Sequence, residues 1–174
     1  DGGIYAENII VPVGVHLDAR NATLQGSCSY AQGCIIVLHE SVVVAGQVGF
    51  SRSDVGDAWV YIDKLTATGN GIGFLSLLAG SDGYITCRKL IVEDGFGVGN
   101  NTAAGHDHIS IGGLYITGIG VGLAVGPVGE IKGFVDSISG ATGTAIFIIG
   151  AGEISLDVSQ KIDCQAAWNI GVGS

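Results

Sequence analysis

The sequence predicts an all-β solenoid, a single-stranded right-handed parallel β-helix whose one chain winds into stacked turns of short strands. Three observations carry that prediction. An aliphatic, polar, aliphatic start recurs at Val60-Tyr61-Ile62, Ile85-Thr86-Cys87, Ile109-Ser110-Ile111, Ile131-Lys132-Gly133 and Ile154-Ser155-Leu156, at steps of about 25, 24, 22 and 23 residues, and such a period marks a repeat architecture. Glycine is the second: there are 31 in 174 residues, and each costs about 1 kcal/mol in a helix interior. The third is alternation of apolar and polar residues with period 2, the pattern of half-buried strands.

Each copy continues alike. A second apolar run centres on Leu65, Leu90, Leu114, Val135 and Val158, a glycine corner follows in most copies (Gly69, Gly95, Gly118, Gly140), and a third run occupies residues 72–78, 96–98, 121–125 and 145–149. The expected unit is three short strands per turn, and the whole chain makes about seven coils. Residues 60–174 form five regular coils and 1–58 a less regular opening, together one domain, 1–174, of a longer or oligomeric protein.

In-register stacking places like positions about 4.8 Å apart. Val60, Ile85, Ile109, Ile131 and Ile154 are then an inward column, while Tyr61, Thr86, Ser110, Lys132 and Ser155 point outward. A second outward column reads Thr68, Glu93, Thr117, Ser139 and Asp163. In the opening, strands are expected at 35–38 and 42–45, followed by a polar loop at 51–57. Its Ser51-Arg52-Ser53-Asp54 run is a candidate contact loop, with a plain solvated turn as the alternative.

Tyr5 and the run ENIIVPVGVHLDARNATLQG, closing on Gly26, resemble the opening coil of right-handed parallel β-helix proteins of the pectate-lyase-like superfamily, particularly bacteriophage tailspikes and other viral appendages. The right-handed rule for parallel crossovers gives the same hand. The resemblance implies a homotrimer, a virion or extracellular location and recognition of a host-surface polysaccharide or glycoprotein. No catalytic motif of that superfamily matches here position by position, so no active-site residue is carried over from it.

Composition narrows the classes of partner. The formal net charge is −9, from 7 Lys and Arg against 16 Asp and Glu, which argues against nucleic acid, whose backbone is met by clustered basic side chains. Glycines and turns interrupt every apolar run before it reaches membrane-spanning length, so no membrane insertion is expected. Of four cysteines, Cys28 and Cys34 are close enough in sequence to close a small loop under oxidising conditions. Cys87 and Cys164 fall at inward positions, where free thiols are the usual state.

Several constellations are candidates for chemistry. Asp57, Asp82, Asp107, Glu130 and Glu153 precede the aliphatic starts and form an acidic column; a bound Ca2+ at Asp82, Asp107 and Glu130 is one reading, solvated turn residues the other. His106 and His108 lie on one side of an extended segment and suit a metal, but no third ligand is visible in sequence, and no metal site is assigned. Asp63 and Arg88 occupy matching places in adjacent coils and are expected to pair. For a polysaccharide hydrolase or lyase the candidate acids are Glu93, Asp63 and Asp94, with Glu93 first because Asp94 adjoins it and Asp63 and Arg88 are projected nearby. Trp59, Tyr61, Tyr84 and Tyr115 are candidate carbohydrate-stacking residues.

The expectation is therefore a virion appendage domain with a structural and glycan-recognition role. Its alternatives are a polysaccharide-degrading enzyme on the same coil, and a self-assembling extracellular filament or adhesin.

Overall fold

The computed structural model describes residues 2–77, 80, 82–101, 106–140, 142–164 and 169–171; side chains at 161, 162, 164 and 169–171 are not described. All regular structure among them is strand. In chain order the strands are β1 (Gly3–Tyr5), β2 (Ile9–Val11), β3 (His16–Gln25), β4 (Cys28–Tyr30), β5 (Ile35–Val43), β6 (Val48–Arg52), β7 (Ala58–Thr68), β8 (Ile72–Ser76), β9 (Gly83–Glu93), β10 (Phe96–Asn100), β11 (His106–Thr117), β12 (Val121–Val125), β13 (Glu130–Gly140), β14 (Thr144–Ile149), β15 (Glu153–Cys164) and β16 (Asn169–Gly171). The odd-numbered strands form one eight-stranded sheet and the even-numbered strands the other, each in sequence order and parallel throughout. This is a parallel β-solenoid.

Two features of the expected turn change. The first and second apolar runs fuse into one long strand of about 9–12 residues, because the residue between them (Asp63, Arg88, Gly112) skips one pairing without leaving the sheet. A turn is therefore one long and one short strand. Five turns, β5 to β14, have at least five residues in both strands, against the seven coils expected; shorter turns flank them.

The inward columns explain the repeat and correct its register. Val60, Ile85 and Ile109 stack as expected, with Ile36 before them, but the next rung is Gly133 and then Leu156. Ile131 and Ile154 instead continue the column Ala58, Gly83, Asp107. The slip carries through the copy, by two residues or three: Leu65, Leu90 and Leu114 stack on Ile138 rather than Val135, Ser110 meets Phe134 rather than Lys132, and Ser139 meets Tyr115 rather than Thr117. Its cause is the rung two residues before the aliphatic start, which holds Ala58, Gly83 and the fully buried Asp107 in three copies but Ile131 and Ile154 in the next two, while Gly133 takes the following inward place in β13.

Asp107 belongs to a polar cluster inside the coil. The ends of β6, β8 and β10 stack Arg52, Ser76 and Asn100 in one inward column. Ser76 Oγ and Asn100 Nδ2 donate to the Asp107 carboxylate at 2.8 and 2.9 Å, and Arg52 Nη2 lies 3.6 Å from it. Burial pushes the Asp107 carboxyl above its usual range, with Arg52, Ser76 and Asn100 opposing. Arg52, expected in an outer contact loop, is thus an interior residue.

A second device is a glycine ladder in the short sheet. Gly49, Gly73, Gly97 and Gly122 repeat at the second position of β6, β8, β10 and β12, and a Cβ on any of them would run into the carbonyl oxygen of the next rung. The next copy carries Ala145, itself buried.

Cys28, Cys34 and Cys87 are buried free thiols. Burial pushes the Cys28 and Cys87 thiols up to about 12, and Cys34 Sγ donates to the Pro12 carbonyl at 2.9 Å. Cys164 falls outside the described side chains.

Candidate functional site

The outer face of the long sheet gathers most of the chemistry-bearing side chains. Its strands alternate, so the residues just before each inward aliphatic residue face solvent. In register these are Ile35, Trp59, Tyr84, His108, Lys132 and Ser155. The three central rings lie nearly flat on one another: Trp59 and Tyr84 have centroids 5.4 Å apart at 12°, Tyr84 and His108 4.9 Å apart at 9°. Beside this ladder runs the column Tyr61, Thr86, Ser110, and the two columns line one shallow groove.

A larger groove of about 620 Å³ continues past Tyr61 and Thr86 toward Arg20, Asp63, Arg88 and Gly112. At its far edge Asp63 is held by both neighbours: His39 Nδ1 lies 3.2 Å from Oδ2 and Arg88 Nη2 donates to Oδ1 at 2.6 Å. His39 first, then Arg88, keep the Asp63 carboxyl below the usual range. The Asp63–Arg88 pair expected from sequence is present. Both partners are exposed, so its worth is about 0–1 kcal/mol.

The proposed catalytic acids do not converge. Glu93 stacks between Thr68 and Thr117, as expected, but it sits five residues along the strand from Arg88, about 16 Å at the usual rise. Asp94 has φ 56°, and its Oδ1 accepts the Ile119 N–H at 2.8 Å, which makes it a corner residue joining two turns. Asp63, with both oxygens engaged, lies in the groove away from the other two.

Three of the four candidate carbohydrate-binding aromatics, Trp59, Tyr61 and Tyr84, share the groove. Tyr115 lies beyond the skipped residue Gly112, with Lys89 Nζ 4.9 Å from its ring centroid. Sequence reasoning missed His108 as the third ring of the ladder. The signal was present, since Trp59, Tyr84 and His108 each directly precede an aliphatic start.

The acidic column is also rearranged. Because Asp107 points inward, the residue in line with Asp82 and Glu130 is His106, and the calcium set Asp82, Asp107 and Glu130 is split between outside and inside. The His106 ring is bracketed by carboxylates of the two adjacent turns, Nδ1 at 3.2 Å from Asp82 and Nε2 at 2.6 Å from Glu130. Lys132 Nζ lies 2.6 Å from the same Glu130, which raises the Lys132 pKa.

Protein-family models, curated proteins and solved structures were compared with the chain, and none matched. The class defined by fold and site is thus a parallel β-solenoid with a groove-forming aromatic ladder on its long sheet.

Proposed function

We propose that this chain is a domain of a virion appendage of the tailspike kind, which binds a host-surface glycan along the outer face of the long sheet. In this reading it is extracellular and works as a homotrimer. The observation that carries the binding role is the Trp59, Tyr84 and His108 ladder. The stacked rings cover one another's faces and present a continuous row of edges to the groove, with the exposed Tyr61 ring beside them. Such an apolar, amphipathic wall packs against the C–H surfaces of sugar rings, while Thr86 and Ser110 in the neighbouring column supply hydroxyls that donate and accept. The rungs form a track along the solenoid axis, a shape suited to an extended chain. The appendage and trimer assignments rest on the resemblance of residues 5–26 to tailspike opening coils.

The test is a binding titration against a panel of bacterial and algal surface polysaccharides. Trp59→Ala and Tyr84→Ala are expected to weaken binding by at least about tenfold, because buried aromatic anchors dominate such interfaces, and Tyr115→Ala is expected to leave it unchanged. Equal binding by wild type and Trp59→Ala, or binding to none of the panel, would overturn the reading. Shortened chains or new unsaturated ends would replace it with the enzyme, in which Glu93→Gln should then cost about a hundredfold in rate.

A further inference from the structure

We propose that Asp82, His106 and His108 form a binding site for a divalent transition-metal ion of the Zn2+ class, clamping two successive turns together. The three side chains come from two rungs: Asp82 immediately precedes β9, and both histidines lie on β11. Buried Asp107 between the histidines points inward, and this forces His106 and His108 outward on the same side of the strand. Register then brings Asp82 alongside His106, where its Oδ1 accepts the His106 backbone N–H at 3.2 Å.

The ligand atoms are close to coordination spacing. Atoms bound about 2.0–2.1 Å from a tetrahedral Zn2+ lie about 3.3 Å from one another. Here Asp82 Oδ1 is 3.2 Å from His106 Nδ1 and Asp82 Oδ2 is 3.7 Å from His108 Nε2, and one ligand atom from each of the three residues lies within 4.8 Å of the others. All three side chains are about one-third exposed, so small rotations close the set and leave a position open to solvent.

An independent observation is the shell behind it. A metal-bound imidazole commonly donates its other N–H to a carboxylate, which fixes the tautomer and raises ligand basicity. Glu130 stands 2.6 Å from His106 Nε2, on the side away from Asp82, and Lys132 in turn holds Glu130. His108 is oriented by its stack on Tyr84. Two imidazole nitrogens and one carboxylate oxygen suit a borderline ion better than Ca2+ or Mg2+, which take six or more oxygens or retain their water.

Equilibrium dialysis and calorimetric titration of the metal-stripped chain with Zn2+ test this directly. One equivalent should bind with Ca2+ and Mg2+ failing to compete, and His106→Ala and His108→Ala should each weaken binding by about a hundredfold or more. Glu130→Gln should weaken it by about 10–100-fold, and His39→Ala, away from the site, should not change it. The side chains lie on the outer face, so the variants should keep the wild-type far-UV spectrum. Absence of a stoichiometric Zn2+ site in the wild type would overturn the proposal, as would wild-type affinity in the His106→Ala/His108→Ala double variant.

Discussion

Replacing Asp107 by alanine is expected to cost about 3–5 kcal/mol, the usual result of breaking a buried ion pair from one side. Arg52 is the reason. Its side chain is 1% exposed, it cannot shed its charge, and among the described residues none of its side-chain nitrogens has a hydrogen-bond partner, so its charge is met by Asp107 at 3.6 Å. In a chain of this size each kcal/mol moves the melting temperature by about 2–4 °C, so the loss should appear as a fall on the order of 10 °C. The pair itself is not what makes the coil stable, because desolvation of both charges opposes it. Arg52→Met combined with Asp107→Asn should therefore recover most of the loss, and a double-mutant cycle read from urea midpoints measures the coupling.

The same carboxyl gives a pH signature. Burial raises the folded-state pKa of Asp107 above its unfolded value, so the folded state holds the proton more tightly. That contribution to stability is fully present below the unfolded carboxylate range and is lost as pH rises through the raised folded value. In Asp107→Asn this part of the pH dependence should vanish.

Gly73→Ala is the second large effect. A Cβ there would stand 2.6 Å from the Gly97 carbonyl oxygen and 2.8 Å from Leu65 Cδ2. Leu65 is fully buried, and the carbonyl belongs to a strand paired on both sides, so neither neighbour has room to give. Overpacking of this kind costs about 1–3 kcal/mol, and displacement of a laddered backbone puts the expected value at the upper end. The control is Gly99→Ala on the next strand. Its Cβ would meet only Leu75 Cδ1 at 3.4 Å and the Phe74 carbonyl at 3.8 Å, so thermal unfolding should stay within about 0.5 kcal/mol of wild type.

Much of this arrangement was legible in the sequence, and the misreadings share a cause. The period, the short-sheet strands (expected at 72–78, 96–98 and 121–125, found at 72–76, 96–100 and 121–125) and the stacking of Val60, Ile85 and Ile109 followed from apolar spacing alone. The fourth copy was misaligned because spacing reads the first aliphatic residue of each copy as one column, whereas the rung of Ile131 and Ile154 holds Ala58, Gly83 and Asp107 in the copies before them. Spacing also places Asp107 outward in the acidic column, because nothing local tells it that its partner is Arg52, 55 positions earlier in the chain. A buried ion pair is a property of two turns, not of one stretch. The same misreading hid the candidate site: with Asp107 outward, His106 falls off the Asp82 and Glu130 line, and the third ligand cannot be found. The aromatic residues were found because stacking needs only the repeat. The scatter of Glu93, Asp94 and Asp63 went unseen because distance along a strand was discounted against distance between turns.

Register between β11 and β13 is where the account stands or falls, since it decides whether Glu130 stands beside His106 or two residues along, beside His108; a shift of two leaves every side chain on its own face. Pairs of cysteines introduced at exposed positions read it directly. Directly opposed residues lie about 4.8 Å apart, within the Cα separation a disulfide spans, while an offset of two residues gives about 8 Å, beyond it. With Ser110 opposite Phe134, the Ser110→Cys/Phe134→Cys protein should form its disulfide on mild oxidation, identified by mass spectrometry of the linked peptides, and Ser110→Cys/Lys132→Cys should not. Ready cross-linking of Ser110→Cys to Lys132→Cys, with none to Phe134→Cys, would contradict the register and, with it, the placement of Glu130 against His106 and of Ile131 on Asp107.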